Sequence, residues 1–338
     1  MSQLFASSSD LGGQEGKVSM ANLPMGTRHP TIKRYKMPLL PDEKGTKSGG
    51  DWVPGGMQSA TNLAGSISET RALGIWERER SQLGLALNYP LYERLAFVVR
   101  KAQHGGIDMA QRLRDQPGGV NLIAELALIH EEARQACGAN NAGIQGTNRH
   151  DVWEARAFSG QWMGTPQINS ELQTLEQLLQ QAGLERVPEL SECVVRNTEL
   201  NVAGRFDDVL KTTRDIVLSD GTLLPKWTLI MSDLKTKRKP FWSLLEVGIQ
   251  LVAYASADLM LVKEAGEVKY IAGPREYVSQ EWGAVLHAPS DGAPPRLIRL
   301  SLAEAMEDAR LARKVCDARS RGKAVGTHAA AVWAEKSP

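Results

Sequence analysis

Two aspartates and a lysine, on segments that read as strands, precede a glutamine and a tyrosine four residues apart. They are Gly204-Arg205-Phe206-Asp207, then Asp233-Leu234-Lys235, then Gln250-Leu251-Val252-Ala253-Tyr254. Upstream, Gly146-Thr147-Asn148-Arg149-His150 puts a histidine where a helix should open. Side chains alternate along a strand, so Asp233 and Lys235 share one side and Leu234 takes the other. A buried carboxylate and a buried ammonium are each costly alone, and tolerable as a pair or around a metal. Asp207 ends the alternating segment 200–210 and could bring a second carboxylate to the same place. Two hard oxygen ligands, with water and a substrate phosphate, suit Mg²⁺ or Mn²⁺ better than zinc. Such an ion polarises a phosphoryl group and lowers the pKa of water. The chemistry this composition could do is therefore the cutting of phosphodiesters, with Lys235 placing the water or offsetting transition-state charge.

These residues need elements to hold them. The apolar run Leu229-Ile230-Met231 predicts a central, buried strand over 227–236. A helix expected over 241–262 is apolar on most faces, as a buried helix is. One polar seam runs along it, Trp242, Glu246, Gln250 and Tyr254, and should face the carboxylates. Strands are expected over 192–198 and 200–210 as a hairpin, with 215–218 extending it and short strands over 269–272 and 284–287. Helical spacing covers 91–104, 120–136, 170–182 and 300–319. Another helix over 148–158 would take Thr147 as its N-cap and carry His150 in its first turn. Glu154, one turn later, could orient that imidazole or be a plain exposed acid. Glu192 opens the first strand and could supply another carboxylate or be structural, while Asp208 should face away from Asp207. The basic loop Thr236-Lys237-Arg238-Lys239-Pro240 lies where phosphates would arrive, and phosphate contacts supply much of the affinity for DNA.

GRFD, DLK and QLVAY, preceded by GTNRH, resemble the motif set of the PD-(D/E)XK nuclease superfamily. The branch is that of the RecB nuclease domain and the Cas4-type exonucleases, with an early histidine, G-x-x-D, (D/E)-x-K and Q-x-x-x-Y in that order. Each motif alone is unspecific; the resemblance rests on all four in sequence, from His150 to Tyr254. Outside that span it is thinner, although the segment near Trp76 is similar to phage-encoded Cas4-like exonucleases. The resemblance implies an α/β, restriction-endonuclease-like fold: a central mixed β-sheet flanked by helices, with an N-terminal helical block. It implies His150, Asp207, Asp233 and the backbone carbonyl of Leu234 as metal ligands, and Lys235 as the catalytic lysine. Gln250 and Tyr254 would support the site or contact DNA. The implied activity is a Mg²⁺- or Mn²⁺-dependent deoxyribonuclease of replication, recombination or repair, an exonuclease before an endonuclease. Its partners would be single- or double-stranded DNA ends and a recombination or single-strand-binding protein. Two departures stand out. Twenty-five residues separate Asp207 from Asp233, more than a short hairpin needs, and they include the turn signal Ser219-Asp220-Gly221. The cysteine quartet that ligates iron–sulfur in many relatives is missing, so no cluster is expected, and without a G-x-x-x-x-G-K-[ST] loop neither is ATP.

Composition bounds the rest. With 42% apolar and 23% charged residues among 338, the chain is ordinary globular material with ample length for a core. A net charge of +1 means any nucleic-acid surface is a local patch. Cys137, Cys193 and Cys316 are scattered and odd in number, which argues for a reducing compartment rather than a disulfide scaffold. No run approaches the ~20 apolar residues of a membrane helix, and the first residues lack a secretory pattern. The expected location is cytoplasmic, in the host if the chain is phage-encoded. Four regions are expected: a flexible arm over 1–58, a helical block over 59–119, the nuclease core over 120–321 and a tail over 322–338. Lys33-Arg34-Tyr35-Lys36 in the arm reads as a solvated tail before a DNA-touching one. Three other readings compete: a non-cleaving DNA-binding module on a nuclease fold, a viral structural or packaging protein with coincidental motifs, and a structure- or sequence-specific endonuclease.

Overall fold

The apolar run at Ile230 and Met231 becomes the middle strand of a five-stranded sheet, as its pattern requires. The computed structural model describes residues 25–26, 35–40, 45–46, 50–54, 58–67, 71–103, 119–138, 141–237, 244–264 and 267–334. The strands in chain order are β1 (Gly45–Thr46), β2 (Gly50–Pro54), β3 (Gln58–Ser59), β4 (Leu184–Arg186), β5 (Val194–Asn197), β6 (Val202–Arg205) and β7 (Asp208–Thr212). They continue as β8 (Ile216–Val217), β9 (Leu223–Leu224), β10 (Leu229–Lys235), β11 (Leu259–Glu264), β12 (Glu267–Ala272), β13 (Val278–His287) and β14 (Arg296–Ser301). The helices are α1 (Ala60–Ala64), α2 (Arg71–Leu87), α3 (Tyr89–Gln103), α4 (Gly119–Ala136), α5 (Asn141–Ser159), α6 (Pro166–Gln181), α7 (Leu244–Ala255) and α8 (Leu302–Ala334). The fold is mixed α/β, with helices flanking two mixed sheets.

One sheet has the order β14-β13-β10-β7-β4, with β10 parallel to β13 and its other pairs antiparallel. The second has the order β12-β11-β5-β6-β3. Alternation sorts the first sheet's side chains into two cores. Val209, Met231 and Val285 point to one face, where they meet α7, α8 and residues of the second sheet such as Val195 and Val202. Leu210, Ile230, Leu234 and Leu286 point to the other, under Trp153 of α5 and Leu172, Leu175 and Leu179 of α6. Helix α7 contacts both sheets as well as α1 and α8, so it is apolar nearly all round.

Several boundaries differ from expectation. The segment 200–210 is two strands in two different sheets, separated at Phe206 and Asp207. Phe206 is fully buried against the Tyr254 ring, and the chain crosses between sheets there. Helix α7 stops at Ala255 because Asn197 Nδ2 takes the Ala253 carbonyl and Ser256 Oγ takes that of Val252. Leu259 to Val262, expected to continue the helix, pair instead as β11. Thr147 is no N-cap: α5 begins at Asn141, and His150 sits mid-helix. Two glycines at about 1 kcal/mol each do not stop a helix.

The chain divides into two units, Met1–Ser68 with Asn148–Pro338, and Glu69–Thr147. Helix α4 therefore belongs with the helical block and not with the sheets, while 59–68 belongs with the sheets. Within the helical unit, Ile129 and Ala133 are fully buried, and Arg94 bridges Glu125 and Glu132 at 2.6 Å each. Part of the expected flexible arm is seated: Met37 is buried with Val194, Ala203 and Leu261, and Tyr270 OH donates to the Pro38 carbonyl. Lys33 and Arg34 and the side chain of Trp76 lie outside the described residues. Helix α8 runs to Ala334, through most of the expected tail. No helix among the described residues is long and apolar enough to cross a membrane.

Candidate functional site

The pairing of β10 with β7 ends at Ser232 and Asp208. Beyond that point β10 is open on the β7 side, and the chain just before β7 offers Asp207 there. The Leu234 N–H donates to Asp207 Oδ2 at 2.8 Å, and His150 Nδ1 of α5 lies 3.5 Å from the same oxygen. A strand residue's N–H and C=O point the same way, so the Leu234 carbonyl also faces Asp207. Asp233 is almost fully buried, and the Lys235 ammonium touches its carboxylate. Lys235 Nζ reaches Gln250 Oε1 at 3.4 Å, and Gln250 Nε2 donates to Tyr254 OH at 3.1 Å. His150, Asp207, Asp233, Lys235, Gln250 and Tyr254 are thus drawn into one neighbourhood from a helix, a crossing segment, a strand and a second helix.

The glycine of G-x-x-D has a physical role in this geometry. A Cβ on Gly204 would lie 2.4 Å from Tyr254 Cε1 and 2.9 Å from its hydroxyl, so the phenol rests on bare backbone. Gly204→Ala should push the ring away, at about 1–3 kcal/mol for overpacking, and loosen the Gln250–Tyr254 contact. A urea melt of the variant checks it; unchanged stability would mean the ring has room to move.

Charge is concentrated here. Glu192, whose φ of 55° is unusual outside glycine, turns a largely buried carboxylate toward Arg205, 2.7 Å away. Burial first, and then the Asp207 charge, push the Glu192 carboxyl up to about 9. Burial raises Asp233 to about 6, with Lys235 opposing and Asp207 adding. Glu154 is raised by burial, against the pull of Arg205. Burial lowers the Lys235 pKa, but the Asp233 and Asp207 charges outweigh it and leave the lysine raised, hence charged. Four carboxyl groups, Glu154, Glu192, Asp207 and Asp233, thus meet two cations, Lys235 and Arg205, and the one raised furthest, Glu192, is neutral at physiological pH.

A stability consequence follows. A carboxyl whose folded pKa exceeds its unfolded one binds more protons when folded, so its contribution is complete below the unfolded pKa and lost as pH rises. For Glu192 that window runs from 4.5 to about 9. Metal-free protein should therefore melt at progressively lower temperature across it, and Glu192→Gln should flatten the decline. Melting in chelator from pH 5 to 9 tests this; parallel slopes for both proteins would contradict it.

Asp208 faces the opposite side, as alternation predicts, but is no bystander. It is fully buried, and its carboxylate accepts from Trp153 Nε1 at 2.6 Å, Arg186 Nη2 at 2.8 Å and Ser191 Oγ. Arg186 also lies 4.2 Å from the Trp153 ring centroid and donates to the Trp153 carbonyl. Trp153 is three residues from His150, so this cluster anchors α5 to the strand that follows Asp207. Its partners come from four places in the chain, and only the aspartate's adjacency to G-x-x-D was a signal. His287 was also missed. It pairs in register with Lys235, and its Nε2 donates to the Lys237 carbonyl at 2.7 Å, holding the start of the basic loop. Lys237 is exposed; Arg238, Lys239 and Trp242 lie outside the described residues.

The donor set suits a hard divalent cation: one imidazole, two carboxylates and a backbone carbonyl. Among the described residues no group of three His, Cys, Asp or Glu side chains could hold a metal ion; His150 meets Asp207, and Asp233 meets Lys235. All three cysteines are free thiols, Cys193 buried near Glu192 with its pKa pushed by burial up to about 12. Compared with known proteins, the chain matches no family model, and no curated protein matches it in sequence.

Proposed function

We propose that this site hydrolyses phosphodiester bonds of DNA with the help of Mg²⁺ or Mn²⁺. The observation that carries the reading is the unbroken line of contacts from His150 through Asp207 and the Leu234 backbone, with Lys235 bridging Asp233 and Gln250 alongside. His150, Asp207, Asp233 and the Leu234 carbonyl would hold the ion, which when bound polarises the phosphoryl group and makes water a better nucleophile. Lys235, kept charged by Asp233, sets a fixed positive charge beside the scissile phosphate, where transition-state charge grows. Gln250 orients that ammonium and is itself held by Tyr254. Lys237, with Arg238 and Lys239 after it, offers cations to the DNA backbone. A preference for chain ends over internal sites, and a place in recombination or repair beside a single-strand-binding partner, rest on the motif resemblance alone. A cytoplasmic setting agrees with the three free thiols. A time course on end-labelled single- and double-stranded DNA, with Mg²⁺, Mn²⁺ or chelator, tests the proposal. Metal-dependent product supports it; retention of DNA without any product in either metal would instead favour a non-cleaving binding module.

A further inference from the structure

The end of the β7–β10 hairpin remote from Asp207 and Asp233 carries a tryptophan that the cleavage site does not use. Trp227 has a φ of 76°, a left-handed backbone that bulky residues rarely adopt, and its N–H donates to the Thr212 carbonyl at 2.9 Å. The left-handed φ belongs to the third position of a turn that the Thr228 N–H closes on the Pro225 carbonyl at 3.2 Å, and this turn sets the ring at the surface. There Trp227 is 60% exposed. Two ammonium groups flank the ring: Lys226 Nζ lies 4.4 Å and Lys211 Nζ 5.0 Å from its centroid. Glu185 holds Lys211 from the side at 2.6 Å. The β8–β9 extension beside it sends Leu224 into the core and leaves the cross-strand pair Val217 and Leu223 exposed. An exposed indole whose ring is covered by two lysine ammonium groups can exchange one of them for a flat base, with the lysines left to meet the flanking phosphates.

We propose that Trp227, Lys211 and Lys226 form a secondary landing site for single-stranded DNA, one base stacking on the indole while the lysines take neighbouring phosphates. The inference rests on the reading of this protein as a DNA-cutting enzyme, whose substrate strand would reach it. Trp227 lies in the turn before β10, and the strand from Leu229 to Asp233 alone spans roughly 13 Å, so only an oligomer can occupy both places. An exposed lysine over a ring is worth about two- to fivefold in affinity, and a base stacked on an aromatic about 5- to 150-fold. An arriving base therefore displaces Lys226 from the ring, and the freed ammonium gains a phosphate. An apolar protein partner would have no use for two lysines at the ring.

The test is fluorescence anisotropy of labelled oligothymidylate, and of a duplex of matched length, with the full-length protein in chelator. Trp227→Ala should weaken the single strand by about 5- to 150-fold and the duplex far less, while Trp227→Phe recovers most of the loss. Lys211→Ala with Lys226→Ala should lower the dependence of log affinity on log salt by about 1.4, the slope of two single-strand phosphate contacts. Thermal melts accompany each variant, and the double lysine variant carries the test if the alanine variant fails to fold. Equal affinity of wild type and the double lysine variant at every salt concentration, or a folded Trp227→Ala variant that binds as tightly as wild type, overturns the landing site. The two ideas fail separately: wild type that cuts DNA while these variants bind normally sinks only the landing site. Weakened binding by the variants upholds the landing site even if no cleavage product ever forms.

Discussion

Lys235→Ala and Asp233→Asn should each reduce DNA cleavage by at least about 10²–10³-fold, the loss typical of removing one preorganised electrostatic group. The two changes act on one coupled pair. Removing the ammonium leaves Asp233 a nearly inaccessible carboxylate without its opposing charge, and burial already pushes that carboxyl up to about 6. Without Lys235 it rises further, so the lysine variant should also weaken divalent-ion binding. Asp233→Asn keeps the shape and removes the charge directly. Metal titration separates the effects: Lys235→Ala should recover part of its divalent-ion binding as pH rises, whereas Asp233→Asn should not. Circular dichroism and melting curves establish that both variants fold. Near-normal product from both would remove the pair from any catalytic role.

Asp208→Ala should destabilise the fold by about 3–5 kcal/mol, the usual cost of breaking a buried ion pair. The substitution strands the nearly buried Arg186 guanidinium, and it removes the acceptor of the Trp153 indole N–H and the Ser191 hydroxyl. Replacing both charges together, Asp208→Leu with Arg186→Met, should recover much of the loss, because an apolar pair of similar size leaves no charge unpaired. Urea melts of the two single variants and the double variant measure the coupling. A double variant no more stable than the worse single one would mean that the hydrogen bonds to Trp153 and Ser191, and not the charge pair, dominate. Asp208→Asn offers a gentler readout. It should retain the fold while loosening α5, and weakened divalent-ion binding through His150 would report that.

The motif residues were legible because their spacing follows local geometry. Asp233 and Lys235 share a side by strand alternation and do touch, and Gln250 and Tyr254 meet one helical turn apart. The buried character of β10 and α7 was likewise written in their apolar runs. Local pattern failed where a long-range contact overrode it. Nothing in the segment 200–210 announces that it crosses between two sheets at Asp207, because the cause is a pocket for Phe206 supplied in part by Tyr254, far along the chain. Leu259 to Val262 could belong to a helix or a strand, and the hydrogen bonds of Asn197 and the free edge of β5 decide for a strand. Helical spacing at 120–136 was correct, yet the helix packs with the other unit.

By itself, then, the order of amino acids determined which side chains could do chemistry and which faces of their own elements those side chains occupy, since both are properties of neighbours a few bonds apart. Only the tertiary structure decided that His150 reaches Asp207, that Glu192 and Arg205 join them, and that Asp208 braces the helix from behind. Those meetings depend on backbone segments tens of residues apart, brought together by burial of apolar surface that is blind to which polar groups it carries along.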